Sequence, residues 1–108
     1  NILGIPVLKN YTEMEKEIRM LLPEADQEKI ITLDHTYHFG GYAKTTPALL
    51  DFILHMKSIH NLPLDHVYTA KLLWAVMDYV RNEKFEPGST VLVLHTGGLQ
   101  GSPVYQNK

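Results

Sequence analysis

Short apolar runs without alternation recur three times along the chain, at residues 2–8, 29–33 and 90–95. Such runs are typical of strands that are covered on both faces, as in a parallel sheet. Pro6 lacks a backbone N–H, so it makes the first strand an edge strand or ends it early. The pattern therefore predicts three strands, with the third at the centre of the sheet.

Between these runs, apolar side chains recur at helical spacing and predict three helices. Asn10 and Glu13 form a capping-box pattern at the start of the first helix, which ends at Pro23. Thr46 precedes a proline and is a typical start for the second helix. Asp65 predicts the start of the third helix by the same capping chemistry.

The order strand, helix, strand, helix, helix, strand predicts an α/β fold with a parallel sheet and helices on both faces, in three layers. Three strands are few for a sheet of this kind, which usually has about five or six. The chain also opens at Asn1 within an apolar run. We therefore expect it to pack against further polypeptide as part of a longer protein.

Composition excludes several classes of function. The charge of −2 gives no basic patch, so no nucleic-acid partner is expected. No apolar run approaches the roughly 20 residues of a membrane span, so no membrane partner is expected either. The chain has no cysteine, which excludes disulfides, thiolate metal sites and cysteine nucleophiles and fits a cytoplasmic protein. Its six histidines follow no zinc motif, so we predict no metal site, with a zinc protein as the alternative.

Candidate chemistry is concentrated in three places that follow predicted strands or open a helix. Gly97 and Gly98 form a turn after the third strand, where exposed N–H groups could bind an anion. Tyr68 lies at the start of the third helix, and the loop at residues 37–42 combines aromatics with glycines. Each place also has a purely structural interpretation, as a tight turn, a packed tyrosine or an ordinary surface loop.

Together, these three places resemble one family. The segments are YHFGGY at 37–42, LDHVYTAK at 64–71 and GSTVLVLHTGGL at 88–99. Their order and spacing are similar to those of the pyridoxal-phosphate enzymes that include 1-aminocyclopropane-1-carboxylate deaminase and D-cysteine desulfhydrase, which have the tryptophan synthase β-subunit-like fold. The resemblance implies that residues 1–108 are the C-terminal part of the large cofactor-binding domain, with the N-terminal two-thirds absent, and that the parent is a homodimer.

The resemblance also implies roles for individual residues. Tyr42 and Tyr68 match the two active-site tyrosines, near the cofactor and a small amino-acid substrate. The residues that match cofactor-binding positions are Thr69, Thr96, Gly97 and Gly98. Lys71 matches a family lysine that does not bind the cofactor. The family's cofactor-binding lysine and its phosphate loop have no counterpart in this sequence. The chain alone is therefore expected to be inactive, and the parent to be an enzyme.

Two threonines favour one branch of the family. Thr69 stands where the resemblance places a glutamate in the aminocyclopropane-carboxylate deaminases, and Thr96 stands where they have a leucine. A hydroxyl beside the pyridine nitrogen leaves the ring neutral and a weaker electron sink, which suits loss of a thiolate. This pattern predicts elimination from D-cysteine to pyruvate, ammonia and sulfide. The alternatives are deaminase activity on aminocyclopropane carboxylate, or a stand-alone α/β module that binds an anion or a partner protein.

Overall fold

A computed structural model describes residues 1–28 and 31–101 of the chain. The strands are β1 (Ile2–Gly4) and β2 (Ile31–Leu33), and the α-helices are α1 (Met14–Leu21), α2 (Pro47–His60) and α3 (Thr69–Arg81). Single 3₁₀ turns lie at Glu24–Asp26, His35–Tyr37 and Leu99–Gly101. The described residues thus form a small α/β unit, as predicted, and the three-layer arrangement of the whole fold stays a prediction.

The sheet consists of β1 and β2, which pair in parallel with Ile2 opposite Ile31 and Gly4 opposite Leu33. A parallel pair needs a crossover, which α1 supplies. A Cβ at Gly4 would lie 2.6 Å from the Leu33 side chain, so the strands meet this closely only because residue 4 is glycine. The first predicted strand ends early, two residues before Pro6, which is consistent with the missing N–H there.

The predicted third strand is wrong, because residues 90–95 join no sheet in the part of the chain that is described. Val91, Leu92 and Leu94 are exposed by 42, 83 and 64%. A strand forms only where a neighbouring strand takes its backbone hydrogen bonds and where its apolar faces are covered. An apolar run supplies the side chains for such a strand but not its neighbours.

The helix start agrees with the sequence for α2 and differs for α1 and α3. Asn10 has a φ of +62° and does not cap α1, whose N-cap is Glu13 without a capping side-chain bond, so the predicted capping box is wrong. Thr46 caps α2 as predicted, because its hydroxyl accepts a hydrogen bond from Leu49 N at 3.1 Å. Asn61 then ends α2 in the left-handed conformation that is common at helix C-termini.

The hydrophobic core lies where α2 meets the start of α3. Its buried members are Leu49, Ile53, Met56, Leu64 and Ala70. The first three form the stripe expected for α2, and half-buried aromatic side chains close the core from the loop and from α3. The start of α3 therefore packs against the core, which fixes its position.

No helix among the described residues is long and apolar enough to cross a membrane.

Candidate active site at the start of α3

Asp65 organises the chain where it enters α3. Its carboxylate is only 2% exposed and accepts four hydrogen bonds. One oxygen accepts from Val67 N at 2.9 Å and Tyr68 N at 2.7 Å, and the other from Thr69 N at 2.9 Å and Thr69 Oγ1 at 2.6 Å. Of the backbone donors, Thr69 N belongs to the first turn of α3, which leaves such groups without partners, and the other two lie just before the helix. Asp65 therefore accepts the first N–H of α3, but the N-cap position itself is Tyr68, so the helix starts later than the sequence predicted.

These contacts stabilise the ionised form of the Asp65 carboxyl. Burial alone would raise the pKa of this carboxyl, but the hydrogen bonds from Thr69, Tyr68 and Val67 outweigh it and lower the pKa below its usual range. Thr69 is 3% exposed, and its hydroxyl also accepts from Asp65 N at 2.8 Å. The Thr69 hydroxyl is therefore engaged inside the helix cap, and its predicted contact with a cofactor stays a prediction.

Tyr42 and Tyr68 come together on the surface above this cap. The Tyr68 hydroxyl donates to the Tyr42 hydroxyl at 3.4 Å, and the two rings meet edge to face at 6.2 Å. Both side chains are about half exposed, at 54 and 48%. The hydrogen bond to Tyr42 raises the pKa of Tyr68 above its ordinary value. The structure thus brings together two of the residues proposed from the sequence.

Lys71 holds the loop that carries Tyr42, a role that the sequence did not reveal. Its side chain is fully buried, and Nζ donates to His38 O at 2.7 Å and to Gly41 O at 3.0 Å. Burial lowers the pKa of Lys71, and the charge of Asp65 opposes that change. The available signal was its position on the inward face of α3, four residues before the buried Ala75.

The glycine turn lies against the segment that leads into α3. His95 Nε2 lies 2.7 Å from Pro63 O, and its Nδ1 accepts from Gly97 N at 3.1 Å. A carbonyl only accepts and an N–H only donates, so these two contacts assign the proton to Nε2. A Cβ at Gly98 would lie 3.4 Å from the Asp65 carboxyl carbon, so this glycine permits a close approach. Thr96 stands exposed beside the turn.

The histidines do not gather into a metal centre in the described ranges. Within residues 1–28 and 31–101, no three His, Asp or Glu side chains lie close enough to hold a metal ion. His95 instead uses both ring nitrogens in hydrogen bonds, to Pro63 O and to Gly97 N.

Comparison with known proteins identifies relatives over most of the chain. A protein of Pyrococcus horikoshii is 35% identical over 110 residues, which cover 97% of this chain and 33% of the relative. One of Pyrococcus abyssi is 33% identical over 94 residues, or 87% of this chain and 27% of the relative. Both are provisionally named 1-aminocyclopropane-1-carboxylate deaminase. A Burkholderia vietnamiensis protein that bears this name outright is 32% identical over 83 residues, or 77% of this chain and 24% of the relative.

All three relatives are named as deaminases of a small amino acid. The chain belongs to the same family as these 1-aminocyclopropane-1-carboxylate deaminase relatives, which confirms the resemblance inferred from its three motifs. It spans about a quarter to a third of the length of the relatives named above. No protein-family model matches the sequence, and no solved structure matches it significantly.

Proposed function

We propose that the start of α3 is one side of the active site of a pyridoxal-phosphate enzyme that removes ammonia from a small amino acid. On this proposal the chain acts as the C-terminal part of a longer protein. The observation that carries it is the half-exposed Tyr42–Tyr68 pair, held at the same helix start as the Gly97–Gly98 turn. Family membership supports the same reaction class.

The residues at the turn fit one edge of the cofactor. A Cβ placed on Gly97 would meet no atom within 4 Å, so a flat ring has room to lie against this backbone. The hydroxyl of the exposed Thr96 is a donor for a pyridine nitrogen at that edge. When bound, pyridoxal phosphate supplies an electron sink for bond cleavage at the substrate. The chain contributes the surface that positions it.

The tyrosine pair fits an anionic group of the substrate. Tyr68 keeps its proton and donates it toward Tyr42 in the resting pair. Because Tyr42 accepts that bond, its own proton is left to donate outward, for instance to a substrate carboxylate. Both hydroxyls would then hold the amino acid in place, and Tyr68 could pass a proton to a leaving group.

The charge around the turn favours D-cysteine as the substrate. The carboxylate that lies against Gly98 is Asp65, and four hydrogen bonds already engage it. It is therefore poorly placed to keep a pyridine nitrogen protonated, and Thr69 offers no carboxylate. A neutral ring is a weaker electron sink and suits loss of a thiolate, a good leaving group. D-Cysteine and water would give pyruvate, ammonia and hydrogen sulfide.

A second candidate is deamination of 1-aminocyclopropane-1-carboxylate, which the names of the relatives favour. The test is to supply the longer protein, loaded with cofactor, with each amino acid in turn. We expect equimolar sulfide and pyruvate from D-cysteine, with L-cysteine as the stereochemical control. Release of 2-oxobutanoate from the cyclopropane, without sulfide from D-cysteine, would favour the second candidate. Turnover of neither amino acid would refute both.

A further inference from the structure

Lys71 connects α3 to the loop that presents Tyr42. We propose that Lys71 is a positioning residue, which places Tyr42 against Tyr68 by binding two carbonyls of that loop. The inference rests on the proposed function only in treating the tyrosine pair as part of an active site. The geometry that carries it lies entirely within this chain.

The first observation is the pair of acceptors that Lys71 has. Its Nζ donates to His38 O at 2.7 Å and to Gly41 O at 3.0 Å. Each of these carbonyls also closes a turn of the loop, since His38 O accepts from Gly41 N at 3.2 Å and Gly41 O accepts from Lys44 N at 3.1 Å. One ammonium group therefore joins two consecutive turns, and Tyr42 lies in the second of them.

The second observation is the backbone of the loop. Phe39, Gly40 and Gly41 have φ values of +56°, +101° and +128°, and Ala43 has +58°. L-residues rarely adopt positive φ, so such a segment persists only where its surroundings hold it in place. The Phe39 ring packs on Trp74 at 5.2 Å and fixes one end. Lys71 fixes the part that leads into Tyr42.

The third observation is that Lys71 is completely buried and bonds to carbonyls. Burying a lysine is costly, and burial lowers the pKa of this one. A methionine of similar length could fill much of the same volume without the donors. A lysine at this position is therefore explained by its hydrogen bonds to the loop better than by packing.

The test measures the phenol of Tyr68, whose pKa is raised by its hydrogen bond to Tyr42. The chain has six tyrosines, so its tyrosine rings are labelled with ¹³C and the Tyr68 signal is assigned with Tyr68→Phe. Titration by NMR then follows one phenol. Tyr42→Phe sets the reference, because it removes the partner and leaves the loop intact. We expect the pKa of Tyr68 to fall toward the ordinary value of about 10 in that variant.

In Lys71→Met we expect the pKa of Tyr68 to fall to the value found in Tyr42→Phe. Lys57→Met is the matched control, since Lys57 bonds to Asn61 at the end of α2, and it should leave the Tyr68 pKa unchanged. A folded Lys71→Met protein with the wild-type Tyr68 pKa would overturn the proposal.

A second variant decides the matter if Lys71→Met does not fold. Gly41→Ala alters the loop at a φ of +128° and leaves Lys71 intact. We expect it to lower the Tyr68 pKa in the same way, and an unchanged pKa would overturn the proposal. These titrations need neither cofactor nor substrate. They can therefore succeed even if the proposed enzyme activity fails, and the two failures are distinguishable.

Discussion

Asp65 is the single side chain on which most of the site geometry depends. It accepts the first N–H of α3 and the hydroxyl of Thr69, binds the N–H of Tyr68 and lies against Gly98. A carboxylate suits this position because it accepts several N–H bonds at once and matches the positive end of the helix. Its loss would disturb the tyrosine pair and the glycine turn together.

The lowered pKa of Asp65 fixes the sign of its pH dependence. Because the folded pKa lies below the unfolded one, its stabilisation is present above about pH 4 and is lost as pH falls through the folded pKa. We expect Asp65→Asn to lower the free energy of unfolding at pH 7 by about 1–2 kcal/mol and to flatten the acid side of the stability curve. Urea unfolding between pH 3 and 7 measures both effects.

The control for this prediction is Asp51→Asn, an exposed position on α2. Exposed substitutions away from caps and buried networks usually change stability by no more than about 0.5 kcal/mol. If Asp65→Asn unfolded like the wild type at both ends of the pH range, the carboxylate would not have the structural role described above.

At the scale of elements, two tyrosine–carboxylate pairs connect α3 to the segment that follows β2. Tyr79 Oη donates to Asp34 at 2.5 Å, and Tyr37 Oη donates to Asp78 at 2.6 Å. The hydrogen bonds raise the pKa of Tyr79 and of Tyr37 to about 12 each. These crossed pairs join the sheet to α3, next to a cleft of about 320 Å³ lined by Thr36, Tyr37, Phe39, Trp74 and Asp78.

Tyr79→Phe should weaken this connection. A raised phenol pKa contributes stability that is complete below about pH 10 and is lost as pH rises toward 12. We expect the variant to lose about 1–2 kcal/mol of unfolding free energy at pH 8 and part of the alkaline decline. Unfolding measured from pH 8 to 12 tests this. Tyr11→Phe, which removes an exposed bond to Glu17 on α1, is the control and should change little.

Elements were predictable where their signals are local. The start of α2 at Thr46 and its end at Asn61 depend on neighbouring residues, and the buried stripe follows from helical spacing. The segment 90–95 was not predictable, because a strand depends on a neighbour that no local pattern reveals. Asn10 was a smaller error, since its backbone is left-handed and the N-cap of α1 lies three residues further on, at Glu13.

The site was predictable only in part. Asp65 could be identified by capping chemistry, whereas the meeting of Tyr42 and Tyr68 depends on a contact between residues 26 positions apart. The family resemblance indicated that pair; spacing did not. Lys71 was missed because its acceptors are backbone carbonyls more than 25 residues away, which have no sequence signature.

At the scale of the whole molecule, the groups proposed to form one side of an active site lie on one part of the surface. The tyrosine pair and the glycine turn face outward, while Lys71 is buried and bound to the loop. Leu92 and Leu94 remain largely exposed on the segment that leads to the turn. The arrangement is consistent with a unit that contributes groups to a site but does not attach the cofactor by itself.

Cofactor attachment to the isolated chain can be measured directly. We expect no single stoichiometric adduct after mixing with pyridoxal phosphate, reducing with borohydride and mapping by mass spectrometry. Lys71 is shielded from the aldehyde by complete burial, and the exposed lysines should react only sparsely. The longer protein, treated identically, is the positive control. One stoichiometric adduct on Lys44 or Lys71 would contradict the proposal that the attachment lysine lies outside this chain.

The proposed active site is tested by the rate of sulfide release from D-cysteine by the longer protein and its Tyr68→Phe variant. Positioned proton donors typically contribute about 100-fold or more to catalysis. We predict that Tyr68→Phe lowers kcat by roughly that factor, while Tyr11→Phe stays within about threefold of the wild type. A Tyr68→Phe enzyme with the wild-type kcat would contradict the proposal that the start of α3 forms one side of the active site.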